Sequence, residues 1–177
     1  MFDLINQAGF FLLKSLAEFL SILLLMRFFM QLFRVSFSNQ IGTFVVQLTN
    51  WAVLPLRKVV PGVFGLDLSS LLPAYLLQVI VLFAAVALQA GPDLPFALIL
   101  IGGLRALLRT SIYLLIGLLI VQAVLSWVNP YSPISRPINQ ITQVFLGPIR
   151  RVVPPIANID LSPLVAILLA QVVLIFI

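Results

Sequence analysis

The chain has 177 residues, of which 62% are hydrophobic and only 8% are charged, and its formal net charge is +5. Soluble domains carry roughly 25% charged residues, so this composition excludes a water-exposed surface and predicts an all-α membrane protein. Because the chain contains no Cys and no His, it lacks the soft metal ligands, thiol chemistry and the commonest general base.

The first apolar run extends from Phe10 to Phe33 and is long enough to cross about 30 Å of hydrocarbon. Lys14 and Glu18 are four residues apart, and we interpret them as a neutralised pair at the membrane's edge rather than as an ion site. Arg27 is expected to snorkel towards the end of this helix. Asp3 stands where a secretory signal carries basic residues, so we expect the helix to stay in the membrane.

Residues 38–54 are predicted to form an amphipathic helix, because apolar residues recur at spacings of three and four with uncharged polar residues opposite them. Such a helix either lies flat in the membrane interface, which is the commoner arrangement, or lines a polar groove between spanning helices. Its apolar side consists of Ile41, Phe44, Val45, Leu48 and Trp51.

A basic segment bounded by Pro55 and Pro61 follows, and its prolines are expected to prevent a continuous helix. Asp67 or Ser69 is a natural N-cap for a second spanning helix over Ser70–Ala90. The Gly- and Pro-rich stretch after this helix ends the first unit.

The second unit is predicted to repeat the plan. Residues 96–108 indicate an interfacial segment that leads into a third helix over 110–128, and Gly102-Gly103 indicates close helix approach. The segment from Pro148 to Pro154 turns the chain, and Ser162 as N-cap with Pro163 at the first helical position opens a fourth helix. Before that turn, a second amphipathic stripe is formed by Ile134, Ile138, Ile141 and Phe145.

The basic proline segment occurs twice, at residues 55–69 and 148–162, and subtracting 55 from 148 gives an offset of 93. Eight of the fifteen aligned positions are identical, where unrelated segments share about one or two. We therefore predict a tandem duplication of a two-helix unit, divided into residues 1–91 and 92–177. The duplication gives about four transmembrane helices and two amphipathic interfacial or re-entrant helices.

The same offset aligns Gln78 with Gln171, since 78 plus 93 is 171, and each lies inside a predicted spanning helix. A single amide in such a helix can form an interhelical hydrogen bond, which is the interpretation we favour. Two amides that meet at a common axis would instead line a path or hold a cofactor.

Both connections between spanning helices, residues 34–68 and 129–160, are predicted to lie on the same side of the membrane. The positive-inside rule makes that side cytoplasmic, although Arg105 and Arg109 argue the other way. Six of the ten basic residues lie in the two connections: Arg34, Arg57, Lys58, Arg136, Arg150 and Arg151.

Each repeat places an arginine ten residues before an aspartate, across the proline segment. The favoured interpretation is an ion pair that fastens the amphipathic helix to the start of the next helix. The alternatives are a central ion or lipid site formed by both sets, or a surface for a partner. The basic pairs also suit anionic lipid headgroups. The candidate residues are Arg57, Lys58, Asp67, Arg150, Arg151 and Asp160.

The order of proline, basic residues, second proline and Asp-Leu-Ser-Pro before an apolar helix resembles the YggT family of small bacterial integral membrane proteins. The first copy departs from it only where Ser70 replaces the last proline. The resemblance covers nearly the whole chain as two units in tandem, the proteobacterial type. The second copy carries the full pattern at Pro148, Arg150, Arg151, Pro154, Asp160, Leu161, Ser162 and Pro163.

This resemblance implies a multi-pass protein of the bacterial inner membrane, associated with resistance to osmotic shock and with no enzyme activity. Relatives in Gram-positive bacteria and chloroplasts imply roles in cell division, envelope organisation or assembly of membrane complexes. Two hypotheses follow: an ion or solute path between the repeats, or a scaffold for membrane partners or further copies of the chain. No cofactor and no nucleic acid partner is expected, since no phosphate loop, nucleophile elbow or metal-ligand cluster accompanies the aspartates.

Overall fold

The computed structural model describes residues 2–60, 66–90, 96–153 and 160–177. In these ranges the protein forms six α-helices, and three of them are long and apolar enough to cross a membrane: residues 5–32, 68–88 and 96–128. The protein is therefore an all-α membrane protein. The helices are α1 (Phe2–Leu32), α2 (Gln40–Val59), α3 (Leu68–Ala90), α4 (Phe96–Val128), α5 (Ser135–Val152) and α6 (Ser162–Phe176).

The helix order repeats, since a long apolar helix, an amphipathic helix and another apolar helix occur twice. The ends of α2 and α5, Val59 and Val152, differ by the offset of 93. The last helix, α6, has 15 residues, about 22 Å at 1.5 Å per residue, and is shorter than the roughly 20 residues that a spanning helix needs. Within each repeat the three helices pack on one another, and contacts of α1 and α3 with α4 join the repeats.

Two predicted helix boundaries are wrong. The first helix begins at Phe2 rather than Phe10. Residues 96–108 are not a separate interfacial segment, because α4 is one continuous helix of 33 residues. Its sequence contains no proline, and its Gly102-Gly103 pair packs against α3 instead of interrupting the backbone.

The prediction that the proline segments exclude a helix is also wrong for their first prolines, since Pro55 lies inside α2 and Pro148 lies inside α5. Proline φ is compatible with a helix, and the main cost is the hydrogen bond lost at the carbonyl four residues earlier. Both prolines are exposed. The carbonyl that each proline leaves unpaired lies on the same outward side of its helix, where water or headgroups can solvate it. The second prolines, Pro61 and Pro154, and the stretch 91–95 lie outside the described residues.

A tight connection sets the direction of α2 after α1. Arg34 adopts a left-handed conformation with φ of 55°, and the Val35 N–H donates to the Met30 carbonyl at 2.7 Å, which closes the end of α1. Asn39 then caps α2 by accepting a hydrogen bond from the Gly42 N–H at 2.8 Å. The chain thus reverses within a few residues and returns α2 to the side of α1.

The amphipathic helices bury matching stripes. In α2 the buried stripe contains Val45, Thr49 and Val53, so the predicted apolar side is only partly correct: Val45 is buried, while Phe44 and Trp51 are exposed. The exposed aromatic residues face away from the bundle, as suits a helix beside lipid. In α5 the predicted residues Ile138 and Ile141 are buried. The buried stripe occupies positions equivalent to those of α2, and its members include Ile138, Ile141, Thr142 and Leu146.

Gly102 and Gly103 allow α4 to approach α3 closely, as the sequence predicted. A Cβ atom on Gly103 would lie 3.3 Å from the Val79 Cα and closer still to its side chain, and one on Gly102 would meet the Leu82 side chain. Small residues permit such helix packing in membranes. The α3–α4 contact joins the two repeats, so this glycine pair determines how closely they pack.

We expect Gly103→Ala to lower the free energy of unfolding in detergent by about 1 to 3 kcal/mol, because the added methyl group forces α3 and α4 apart. Gly117→Ala in the same helix is the matched control, since nothing lies within 4 Å of its Cβ position. That control should be neutral or stabilising by up to about 1 kcal/mol. Thermal unfolding of both variants measures the difference, and equal effects would contradict the packing role.

Candidate functional site

The first motif aspartate connects three helices. The Asp67 Oδ2 lies 2.8 Å from the Arg57 Nη2 and accepts a hydrogen bond from the Ser70 Oγ at 2.7 Å. The same Arg57 nitrogen donates to the Gln31 Oε1 at 2.9 Å. Only 3% of the Asp67 side chain is exposed. The pair therefore fastens the end of α2 to the start of α3 and to the last turn of α1.

The residues around Asp67 fold locally to make this contact. Asp67 directly precedes α3, so its carboxylate lies at the positive end of the helix dipole. Ser69 is the second residue of the helix rather than its cap, and its hydroxyl donates to the Val60 carbonyl at 3.2 Å. This bond closes the connection from α2 to α3 beside the ion pair.

The second motif forms the equivalent pair in a more exposed setting. The Asp160 Oδ2 lies 2.8 Å from the Arg150 Nη2 and accepts a hydrogen bond from the Arg150 Nε at 2.9 Å. The Asp160 side chain is 39% exposed. The Ser162 N–H donates to the Asp160 Oδ1 at 2.9 Å. The prediction of Ser162 as N-cap is wrong by one position, because α6 begins at Ser162, with Leu161 in the cap position and Pro163 in the first turn.

The pKa of Asp160 lies below its ordinary value. Partial burial opposes ionisation, but contacts with Ser162 and with the Arg150 guanidinium outweigh it. A carboxyl group with a lowered folded-state pKa contributes stability above its unfolded-state pKa, which is about 3.9. That contribution is lost as the pH falls through the lower folded-state pKa.

Each motif aspartate thus pairs with the arginine of its own repeat, and the adjoining Lys58 and Arg151 are exposed. The two glutamines differ in environment. Gln78 is buried and its Nε2 donates to the Thr110 Oγ1 at 3.3 Å, whereas Gln171 is exposed on α6. The Gln78 amide therefore joins α3 to α4.

The buried position of Arg27 was not predicted. Only 3% of Arg27 is exposed, so it does not snorkel. Its Nη1 donates to the Thr49 Oγ1 at 2.7 Å and to the Asn50 Oδ1 at 3.0 Å. These bonds hold α2 against α1. The uncharged polar residues of the amphipathic helix were the sequence signal for such a partner.

A cavity of about 620 Å³, lined mainly by apolar side chains, lies between α1, α3 and α4. Lys14, Glu18, Gln78, Arg109 and Thr110 contribute its polar lining. The Lys14 Nζ and the Glu18 Oε1 are 3.8 Å apart, so the predicted pair is present. The cavity thus collects charged groups from both repeats, and the contribution of Arg109 from α4 was not predicted.

Lys14 and Glu18 fall in the middle third of the 31 residues of α1, because this helix begins at Phe2. Glu18 is 13 residues from Gln31, about 20 Å along the axis from the level of the Asp67 ion pair. The two side chains are 51% and 50% exposed. Charged groups are costly against lipid tails, so water, headgroups or another protein in contact with this half-exposed pair would stabilise it.

We expect Asp67→Asn to destabilise the protein by about 1 to 3 kcal/mol, because it weakens charge-assisted bonds to a buried carboxylate. Asp160→Asn is the matched variant in the other repeat. It should cost at most about 1 kcal/mol, since its ion pair is solvated. Unfolding in detergent at neutral pH measures both losses of stability. Equal losses, or a larger loss for Asp160→Asn, would contradict the difference in burial.

Comparison with known proteins agrees with the doubled motif. The family described as CCB3/YggT matches residues 6–88 and 101–177. The uncharacterised protein YggT of Escherichia coli (strain K12) is 39% identical over 167 residues, which cover 92% of this chain and 85% of that protein. An uncharacterised Vibrio alginolyticus protein is 33% identical over 157 residues, covering 88% and 85% of the two chains. No solved structure matches the chain. The chain belongs to the CCB3/YggT family.

Proposed function

We propose that this protein is a non-enzymatic, multi-pass protein of the bacterial inner membrane that moves a small ion or solute in osmotic or ion homeostasis. The observation that carries the proposal is the set of charged residues, Lys14, Glu18 and Arg109, that line the cavity between α1, α3 and α4. Polar and ionisable groups inside spanning segments commonly mark ion or substrate pathways. We place the basic connections 34–68 and 129–160 on the cytoplasmic side, in contact with anionic headgroups.

The charge of the cavity indicates what it would conduct. Lys14 and Arg109 contribute two positive charges and Glu18 one negative charge, which leaves a net charge of +1 on the lining. A cavity with excess positive charge favours anions over cations. We therefore propose a small anion, such as chloride, as the permeating species.

Proteoliposomes containing the full chain test this proposal through chloride and potassium flux under an osmotic step. We expect chloride flux above that of empty vesicles. Arg109→Gln, which removes the excess charge, should reduce it by about tenfold, a change of about 1.4 kcal/mol. Glu18→Gln should instead increase the preference for chloride over potassium. Arg105→Gln is the matched control, since Arg105 is exposed on the same helix outside the cavity lining.

Absence of flux from folded protein, or equal effects of Arg105→Gln and Arg109→Gln, would contradict the ion path. The second candidate function is a scaffold for membrane complexes, favoured by the half exposure of Lys14 and Glu18. In that case a helix of a partner, or of a second copy, covers the charged pair. A photocrosslinker at position 14 should then form a specific adduct in native membranes, which an ion path through a monomer would not produce.

A further inference from the structure

A smaller cavity, of about 200 Å³ and with a mainly polar lining, lies between the last turns of α4 and the length of α5. It belongs to the second repeat alone and is separate from the cavity lined by Lys14 and Glu18. A water molecule occupies about 30 Å³ in the liquid, so the space suits several waters or one small polar group. Its polar lining comes from Gln122, Ser126, Ser135, Asn139, Gln143 and Arg150.

One of these side chains lacks a partner. Gln122 is 9% exposed, and its Oε1 has no hydrogen-bond partner within the ranges that the structure describes. Buried polar atoms are nearly always paired, because an unpaired one costs about 1 to 3 kcal/mol. This carbonyl oxygen therefore requires a donor, such as a hydroxyl group, inside the cavity.

The remaining lining suits the same kind of ligand. Serine hydroxyls and amides both donate and accept hydrogen bonds, as the hydroxyl groups of a polyol do. Arg150 is the cation of the lining, and its Nε and Nη2 both contact Asp160. Its Nη1 has no acceptor among the residues that the structure describes. The cavity can therefore hold hydroxyl groups with an oxyanion beside them.

The equivalent positions of the first repeat are only partly polar. Within the amphipathic helices, where the offset of 93 holds, Gln143 and Arg150 correspond to Asn50 and Arg57, whereas Asn139 corresponds to Val46. The fold therefore does not require a polar residue at position 139.

The position of the cavity identifies the source of the ligand. Trp127 and Tyr131 at the adjoining end of α4 are 74% and 95% exposed. Exposed Trp and Tyr are typical of the membrane–water boundary, where phospholipid headgroups lie. We propose that this cavity binds the hydroxylated headgroup of an anionic phospholipid, with its glycerol hydroxyls at Gln122 and its phosphate at Arg150.

Native mass spectrometry of the full chain, released from nanodiscs of mixed phosphatidylglycerol and phosphatidylethanolamine, tests the proposal. We expect one retained phosphatidylglycerol per chain, about tenfold preferred over phosphatidylethanolamine. The variant Ser126→Phe/Asn139→Val fills the cavity with apolar side chains and should abolish retention while preserving the unfolding temperature. Gln140→Leu is the control, because Gln140 is exposed on the same helix. This control should retain the lipid.

Three outcomes would overturn the proposal. Equal retention by wild type and the double variant would place the lipid elsewhere. Stabilisation by free glycerol phosphate without any preference among lipids would identify a soluble ligand instead. If the folded wild-type protein retained neither lipid, water would be the occupant of the cavity. The experiment does not depend on ion flux, so it distinguishes failure of this proposal from failure of the ion path.

Discussion

A polar group inside a membrane must find its partner within the protein, because the lipid tails offer none. The connection after α2 meets this constraint through the Arg57–Asp67 pair, which joins three helices while Asp67 remains buried. Arg27, one helical turn before Gln31 in α1, meets the same constraint by donating hydrogen bonds to Thr49 and Asn50. The amphipathic helix α2 is therefore held by polar contacts on its inner side, and its aromatic residues remain free to face lipid.

The duplication supplies a common framework on which the two repeats have become different. Thr49 and Thr142 occupy equivalent buried positions and bond to the carbonyls four residues earlier, at 2.6 Å and 2.9 Å. Beside this shared stripe, the first repeat buries an arginine, whereas the second leaves a polar cavity. The second repeat thus has room for a ligand.

Local patterns predicted the helices, the duplication and the spacing of Arg57 and Asp67, because each depends on residues close in sequence. They failed where distant segments meet. Arg27 reaches Thr49 across 22 residues, and only the packing of α2 on α1 brings them together. Arg109 joins the cavity because α4 crosses α3 at its glycines, a geometry that residue types alone do not determine. The prediction that Pro55 and Pro148 would end their helices failed for another reason, because an exposed helix end tolerates the lost hydrogen bond.

The length of α4 has a mechanical consequence. A continuous helix of 33 residues measures about 50 Å, whereas the hydrocarbon layer is about 30 Å thick. The helix must therefore tilt or extend beyond the layer, and its tilt is coupled to membrane thickness. Because α4 lines both cavities, stretching or thinning of the bilayer would change the shape of each. Membrane tension, which rises when a cell swells, would then act on the protein directly, without a soluble messenger.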